Sequence, residues 1–415
     1  MKTQDFKETP IGKIPKEWKL IELGNKNISK NMYYGITAKA TEEDTKLRML
    51  RTTDIENYDV DWENLPNCKI TEEINNIEKY LLEKNDMIIA RAGTTGVSVL
   101  VDESLQNAVF GSYLIKVELK ESVDPKFIHF FLQSPLYWSH IQAHQRGSTM
   151  NNINLSILES IKLPLPPLSE QEKIAEVLST VDGAIQKVDG AIEKTERLKK
   201  GLMQKLLIEG IDHEELKETP IGRIPKEWDV MNLKNGDIVD IVMGSSPPSS
   251  TYNKEGEGLP FLQGNAEFGE IRPTPVKYCS EPQKIAEKGD ILLSVRAPVG
   301  DVNIAKSKCC IGRGLSAIRP NEKSLKGVFL YYYLDFSSKR FEKLSLGSTF
   351  SAIRKNEIQN FKIPLPPLSE QEKIAEILSK VDEKLVFEKK RKEKFNQIKK
   401  GLMLDLLTGR KRVEV

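Results

Sequence analysis

Pro164-Leu165-Pro166-Pro167-Leu168-Ser169-Glu170-Gln171-Glu172-Lys173-Ile174-Ala175-Glu176 occurs twice in this 415-residue chain, returning letter for letter from Pro364 to Glu376. In each copy the prolines favour an extended approach and stop a helix from growing backwards. Ser169 with Glu172, and Ser369 with Glu372, have the spacing of a capping box, in which hydroxyl and carboxylate each satisfy a free backbone N–H. Both phrases therefore predict a helix start.

The segment after each start is long and periodic. The first copy places apolar residues at Ile174, Leu178, Val181, Ile185, Val188 and Ile192, steps of four and three that read as a heptad seam, before shifting to Leu198, Leu202 and Leu206. The second reads Ile374, Leu378, Val381 and Leu385, then polar Glu388 and Lys392, then Phe395, Ile398, Leu402 and Leu406. At about 1.5 Å per residue, each segment of roughly forty residues makes a helix about 60 Å long. One amphipathic helix of that length cannot hide its stripe alone. The matching seams are read as packing on each other. A two-fold relation between duplicated units requires them to run antiparallel. The alternative is two helices, each lying on its own domain.

The duplication extends further. Lys199 to Met203 returns as Lys399 to Met403, and Lys7 to Trp18 returns as Lys217 to Trp228 with one Lys-to-Arg change. These are repeated units, so the chain should carry a pseudo-two-fold arrangement. Shared residues serve what the halves have in common; divergent stretches must do something different in each. Segments 15–165 and 225–365 have globular composition, with apolar strand runs at Asp86-Met87-Ile88-Ile89-Ala90 and Asp290-Ile291-Leu292-Leu293-Ser294, each followed by an arginine and a glycine-rich turn. Residues 127–141 and 325–344 read as helical. The expectation is an α+β protein whose parts are globular 1–167, a long helix in 168–210, globular 211–367, and a second long helix with a tail in 368–415.

Composition narrows the function. Lys plus Arg number 62 against 60 Asp plus Glu, a net charge of +2, so any basic surface must be local. Cys68, Cys279, Cys309 and Cys310 form neither a disulfide framework nor the spaced pairs of a zinc site, which fits a reducing cytosol. There is no apolar run of membrane-spanning length and no signal core at the N-terminus, so a cytoplasmic protein is expected. Phosphate loops, dinucleotide fingerprints, serine nucleophile elbows and the Asn-Pro-Pro-aromatic tetrapeptide of amino-methyltransferases are all missing. His140 and His144 share a helix face but lack further ligands, so no metal is expected. Any chemistry belongs to a partner.

The divergent segments carry forked polar side chains in turns, which suits reading of base edges: Arg for guanine, Asn or Gln for adenine. In the first half the candidates are Tyr33, Tyr34 and Thr37, then Arg51, Thr52 and Thr53, then Arg91, Thr94 and Thr95. In the second they are Ser249, Thr251 and Tyr252, then Gln263 and Asn265, then Arg296 and Arg313. A third place recurs in both copies: Arg146, Ser148, Thr149, Asn151, Asn152 and Asn154 against Ser348, Thr349, Arg354 and Lys355. A solvated loop or a turn hydrogen bond is the competing explanation for each residue taken singly. Residues 229–363 hold 19 basic and 15 acidic side chains, whereas 19–163 hold 16 and 20. The first half would thus need a restricted basic face, with a partner supplying phosphate contacts.

Two divergent domains, each opened by Ile-Gly-x-Ile-Pro-Lys-Glu-Trp and closed by Pro-Leu-Pro-Pro-Leu-Ser-Glu-Gln-Glu-Lys-Ile-Ala-Glu, with Gly289-Asp290-Ile291-Leu292-Leu293-Ser294 and Pro260-Phe261-Leu262-Gln263-Gly264-Asn265 in the second half, resemble the specificity subunit of a Type I restriction-modification system. The resemblance spans essentially the whole chain. It implies two target-recognition domains reading the halves of a split double-stranded DNA site, an antiparallel helix pair as spacer, and no catalysis by this chain. It also implies docking of modification subunits, two of them on this reading, carrying S-adenosylmethionine, and of restriction subunits that use ATP and magnesium. Asn85-Asp86 replaces Gly-Asp in the first half, and no equivalent of Gln-Gly-Asn stands out near Arg51. A scaffold that joins protein partners without touching DNA is the alternative. A stand-alone methyltransferase or nuclease is disfavoured by the missing motifs.

Overall fold

The computed structural model describes residues 5–71, 73–74, 76–145, 152–234, 236, 238–346 and 352–414. Two helices dominate it, Leu168–Ile208 with 41 residues and Leu368–Leu406 with 39. Each begins one residue before the serine. The carbonyl of Pro167 accepts the N–H groups of Glu170 and Gln171 at 3.0 Å, and Pro367 does the same for Glu370 and Gln371 at 2.9 and 3.0 Å. Ser169 and Ser369 therefore lie inside the first turn rather than at the cap. The proline carbonyls open the helical hydrogen-bond ladder two residues before the serines.

The shared phrase has another use. Gln171 is 1% exposed; its side-chain amide donates to the Pro166 carbonyl and its oxygen accepts the Asp124 N–H at 3.0 Å. Gln371 binds Pro366 and the Lys326 N–H in the same way. One residue thus ties the extended approach to the start of a globular helix in each copy. Beside it, buried Glu170 accepts from the Trp18 indole at 3.1 Å, and Glu370 from Trp228 at 2.9 Å.

The chain forms two compact units, Met1–Asp189 with Arg391–Val415, and Gly190–Lys390, so the boundary falls inside both long helices. Unit 1 contains the start of the first helix and the end of the second. Their Ile174, Leu178, Met403, Leu406 and Leu407 share one core with Trp18, Phe127 and Tyr137. Asp182 pairs with Lys399 and Asp189 with Lys392, so the order reverses along the second helix and the segments run antiparallel. In unit 2 the opposite ends meet: Met203, Leu206 and Leu207 share a core with Ile374, Leu378 and Trp228, and Lys199 pairs with Asp382.

The apolar seam is weaker than its heptads suggest. Leu178, Val188, Leu378 and Leu385 are buried, while Val181, Ile185, Ile192, Val381, Phe395 and Leu402 are half-buried. Buried Thr195 and Asp382 share the helix line with them. Leu198 and Ile398, read as continuing the seam, are 53% and 50% exposed.

Each unit's globular part is built from short strands. Unit 1 has a sheet ordered Ser98–Leu100, Met87–Ala90, Leu114–Leu119, Ser29–Tyr34, and another ordered Ala108–Phe110, Arg48–Leu50, Asn67–Ile70, Ala38–Thr41. Unit 2 repeats the first plan with Val302–Ile304, Ile291–Ser294, Leu315–Pro320 and Val239–Met243, and the second around Cys309–Ile311 beside Leu259–Leu262. The runs Met87–Ala90 and Ile291–Ser294 are buried throughout, as central strands require. Asn85 and Gly289 precede them with φ of +75° and +93°, so asparagine does glycine's work in the left-handed region. Asp86 and Asp290 then accept the N–H of Glu83 and Glu287 at 2.8 Å. Residues 127–141 and 325–344 are each broken in two: Pro125–Phe131 and Pro135–Gln145, Gly327–Phe336 and Ser338–Leu346. Pro135 cannot continue the preceding helix but suits the first turn of a new one.

Candidate nucleic-acid interface

Backbone hydrogen bonds align the loops of the two units residue by residue. Gly111 donates to the Leu50 carbonyl and Gly312 to that of Leu262, which makes Arg51-Thr52-Thr53 the counterpart of Gln263-Gly264-Asn265. The equivalent missing from the first half was hidden because the strands share position but only their final leucine, Leu50 and Leu262. Leu114 donates to Gly111 and Leu315 to Gly312, so Ser112-Tyr113 corresponds to Arg313-Gly314. Gly96 donates to Ala90 and Gly300 to Ser294, placing Arg91 opposite Val295 and Thr94 opposite Pro298. Arg91 and Arg296 are therefore neighbours in the scheme and not counterparts.

In unit 2 these loops converge. A Cβ on Gly312 would lie 3.0 Å from the Gln263 Cα and one on Gly314 2.6 Å from the Gln263 carbonyl oxygen, so only glycine permits the approach. The Ser246 hydroxyl accepts from the Gln263 side-chain amide at 2.9 Å and from the Arg313 N–H at 3.2 Å. Val295 donates to the Gly314 carbonyl and accepts from the Ile353 N–H, which brings Arg296 and Arg354 to the same ledge. Gln263, Arg296, Arg313 and Arg354 are all exposed there. Asn265 donates to Asp301 at 2.6 Å, a contact that orients its amide. Tyr252 does something else: its ring stacks on Phe261 with centroids 4.5 Å apart and its hydroxyl binds the Pro247 carbonyl, so it packs the loop beneath.

Unit 1 uses the same frame with different chemistry. The Arg91 guanidinium lies 4.5 Å from the centre of the Tyr34 ring, and the Tyr34 hydroxyl accepts the Leu155 N–H at 3.1 Å. Ile153 donates to the Arg91 carbonyl. Asn154, one of the sequence candidates, caps the helix Leu155–Glu159 by accepting the Ile157 N–H. Arg51 is held by Asp54 through Nε at 3.0 Å and a terminal nitrogen at 2.6 Å, and the pairing pushes its pKa up. Gly93 approaches Thr52, which sets exposed Thr53 and Thr94 on adjoining loops. The Thr37 side chain is exposed, while its carbonyl accepts from Thr71. Arg146, Ser148, Thr149, Asn151, Ser348 and Thr349 lie outside the described residues.

Sequence reasoning passed over Tyr113. It is 63% exposed, and its carbonyl accepts the Arg91 N–H at 2.8 Å. A tyrosine within the apolar-looking run from Ala108 to Val117 reads as strand; only the turn at Gly111 brings it out. No group of three or more His, Cys, Asp or Glu suited to a metal exists among the described residues, and none of their helices is long and apolar enough to cross a membrane.

Known proteins match this chain over both repeats. Residues 15–196 and 225–397 match the family described as Type I restriction modification DNA specificity domain. A specificity subunit named for the type I restriction enzyme MjaX of Methanocaldococcus jannaschii is 38% identical, covering 100% of this chain and 98% of the relative. The MjaVIII specificity subunit of the same organism is 28% identical, covering 100% and 97%. A solved chain from work on complex assembly and conformational transition of the type I R-M system superposes with a TM-score of 0.61 at 27% identity, over 95% of this chain and 99% of that one. The S subunit from M. genitalium shares the fold, with a TM-score of 0.61 at 18% identity over 94% and 96%.

Proposed function

Because the chain belongs to the Type I restriction modification DNA specificity family, we propose that its two loop ledges read the two halves of a gapped, asymmetric site in double-stranded DNA. One observation carries the asymmetry: on a common backbone frame the exposed side chains are Thr53, Thr94 and Tyr113 in unit 1 but Gln263, Arg296 and Arg313 in unit 2. Identical readers would specify a palindrome; these specify unlike half-words. The chain is a recognition subunit and not a catalyst. Methyl transfer and cleavage belong to modification and restriction subunits, which bring S-adenosylmethionine, ATP and magnesium.

Two modification subunits fit the repeats. The exposed positions of the hairpins at 6–15 and 216–225 are nearly identical, including Glu8 and Glu218, and exposed Lys16 and Lys226 follow them. Surfaces kept alike beside loops that have diverged suit two copies of one partner. Helices of 41 and 39 residues, about 60 Å each at ~1.5 Å per residue, set the number of unread base pairs. The protein works in the cytoplasm, where the genome is.

Mapping methylated adenines after co-expression with a modification subunit tests the reading: two unlike half-words at a fixed gap are expected. Random methylation, or salt-insensitive binding to duplex DNA, would overturn it. Removing one turn from both long helices should alter the gap and leave the half-words alone; an unchanged gap refutes the ruler.

A further inference from the structure

We infer that Tyr113 is a specificity-determining residue of unit 1, reading the 5-methyl group of a thymine in the major groove from the turn on which unit 2 presents Arg313 one residue earlier. The inference rests on the DNA-reading function proposed above and assigns one base-pair type to one side chain.

The turn that carries Tyr113 has the same backbone in both units. Leu114 and Leu315 each donate back to the glycine three residues earlier, Gly35 and Gly244 each donate to that leucine's carbonyl, and Arg91 and Val295 each donate to the residue before it. A Cβ on Gly35 would fall 2.2 Å from the Gly111 carbonyl oxygen and one on Gly244 2.1 Å from that of Gly312, so the crossing is equally tight in both. On this fixed turn the sequence is Ser112-Tyr113 in one unit and Arg313-Gly314 in the other. Each pair supplies one large exposed side chain, Tyr113 or Arg313.

Neighbouring groups leave the ring as the projecting reader. Arg51 is engaged by Asp54, and Arg91 lies over Tyr34 with its Nε buried and unpartnered. Tyr113 is the most exposed large hydrophobic side chain of unit 1 among the described residues, at 63%. Its carbons offer no paired hydrogen bonds, and the apolar feature of the major-groove edge is the thymine methyl. A segment with 16 basic against 20 acidic side chains, 19–163, is also poorly placed to rely on charge for its reading.

The test uses the full chain with its modification subunit and maps methylated adenines for the wild type, Tyr113→Ala, Tyr113→Phe and Arg313→Ala. Tyr113→Ala should make one T·A position degenerate in one half-word, and Arg313→Ala should relax the other half-word. Tyr113→Phe, which keeps the ring, should restore the discrimination. Replacing that thymine by uracil, which lacks only the methyl, should weaken wild-type binding about tenfold and leave Tyr113→Ala unaffected. An intact second half-word shows that the variant is folded. Should Tyr113→Ala methylate nothing, the wild type on uracil duplexes decides alone. Unchanged half-words, or wild-type indifference to uracil at every thymine of that half-word, overturn the inference. A wild type with no split word overturns the DNA-reading function instead.

Discussion

Asp182 and Lys399 lie 2.7 Å apart in unit 1, and Lys199 and Asp382 make the same contact at 2.7 Å in unit 2 with the helices exchanged. The residues stand 200 positions apart in the repeats, so each pair is the other's image. An isologous contact of this kind is what an antiparallel pairing of duplicated helices produces. The two copies differ in burial, so they should differ in energy.

Asp382 has a side chain only 6% exposed and also accepts the Tyr332 hydroxyl at 2.8 Å, whereas that of Asp182 is 31% exposed. Lys199→Met should therefore cost about 3 kcal/mol by leaving a carboxylate buried without its cation. Lys399→Met should cost about 1 kcal/mol, since water can replace the partner. Denaturant melts of the two variants decide; equal losses would remove burial as the cause.

Arg412 grips Glu170 with two nitrogens, and Glu170 is 2% exposed. Arg412→Ala should cost about 3 kcal/mol, and adding Glu170→Gln should recover much of it by removing the stranded charge. A double variant no more stable than Arg412→Ala would show that packing on Trp18, 5.9 Å away, matters more.

Burial and the neighbouring Lys399 push the His129 pKa down from 6.5 to about 4, and its Nδ1 has no partner. A folded-state pKa below the unfolded value means the unfolded chain takes up the proton first. His129 thus leaves stability intact above pH 6.5 and erodes it as pH falls towards 4, by at most roughly 3 kcal/mol. Asp86 acts oppositely: burial, outweighing Lys116, raises its pKa to about 6, so the folded state gains a proton in the same range. The net profile mixes both. His129→Gln should hold its stability better than the wild type between pH 6.5 and 4, and parallel profiles would refute the assignment.

Gln263 projects from the ledge with its amide nitrogen on Ser246. Gln263→Ala should relax one base pair of the half-word read by unit 2, by about tenfold or more, and leave the other half-word unchanged. Methylation maps that change in both half-words, or in neither, would exclude Gln263 as a reader.

Local pattern in the chain was enough to establish the duplication, the two long helices, the central strands at Met87 and Ile291 and the family, because each is written in repeated words, heptads or unbroken apolar runs. It placed the helix starts at 168 and 368, although the proline carbonyls rather than a serine cap receive their first N–H groups. It read Leu198 and Ile398 as seam residues, although periodicity marks a face without saying what covers it. Only folding in three dimensions established that Arg51 answers to Gln263, and that Ser112-Tyr113 and Arg313-Gly314 occupy the same turn. Those correspondences rest on hydrogen bonds between backbone atoms that every residue carries, and only scattered shared letters such as Gly111 and Gly312 record them. Folding also determines which candidates already have partners. Arg51 and Tyr252 are chemically apt, but each is already engaged by a neighbour, Asp54 or Phe261, that the fold brings into contact.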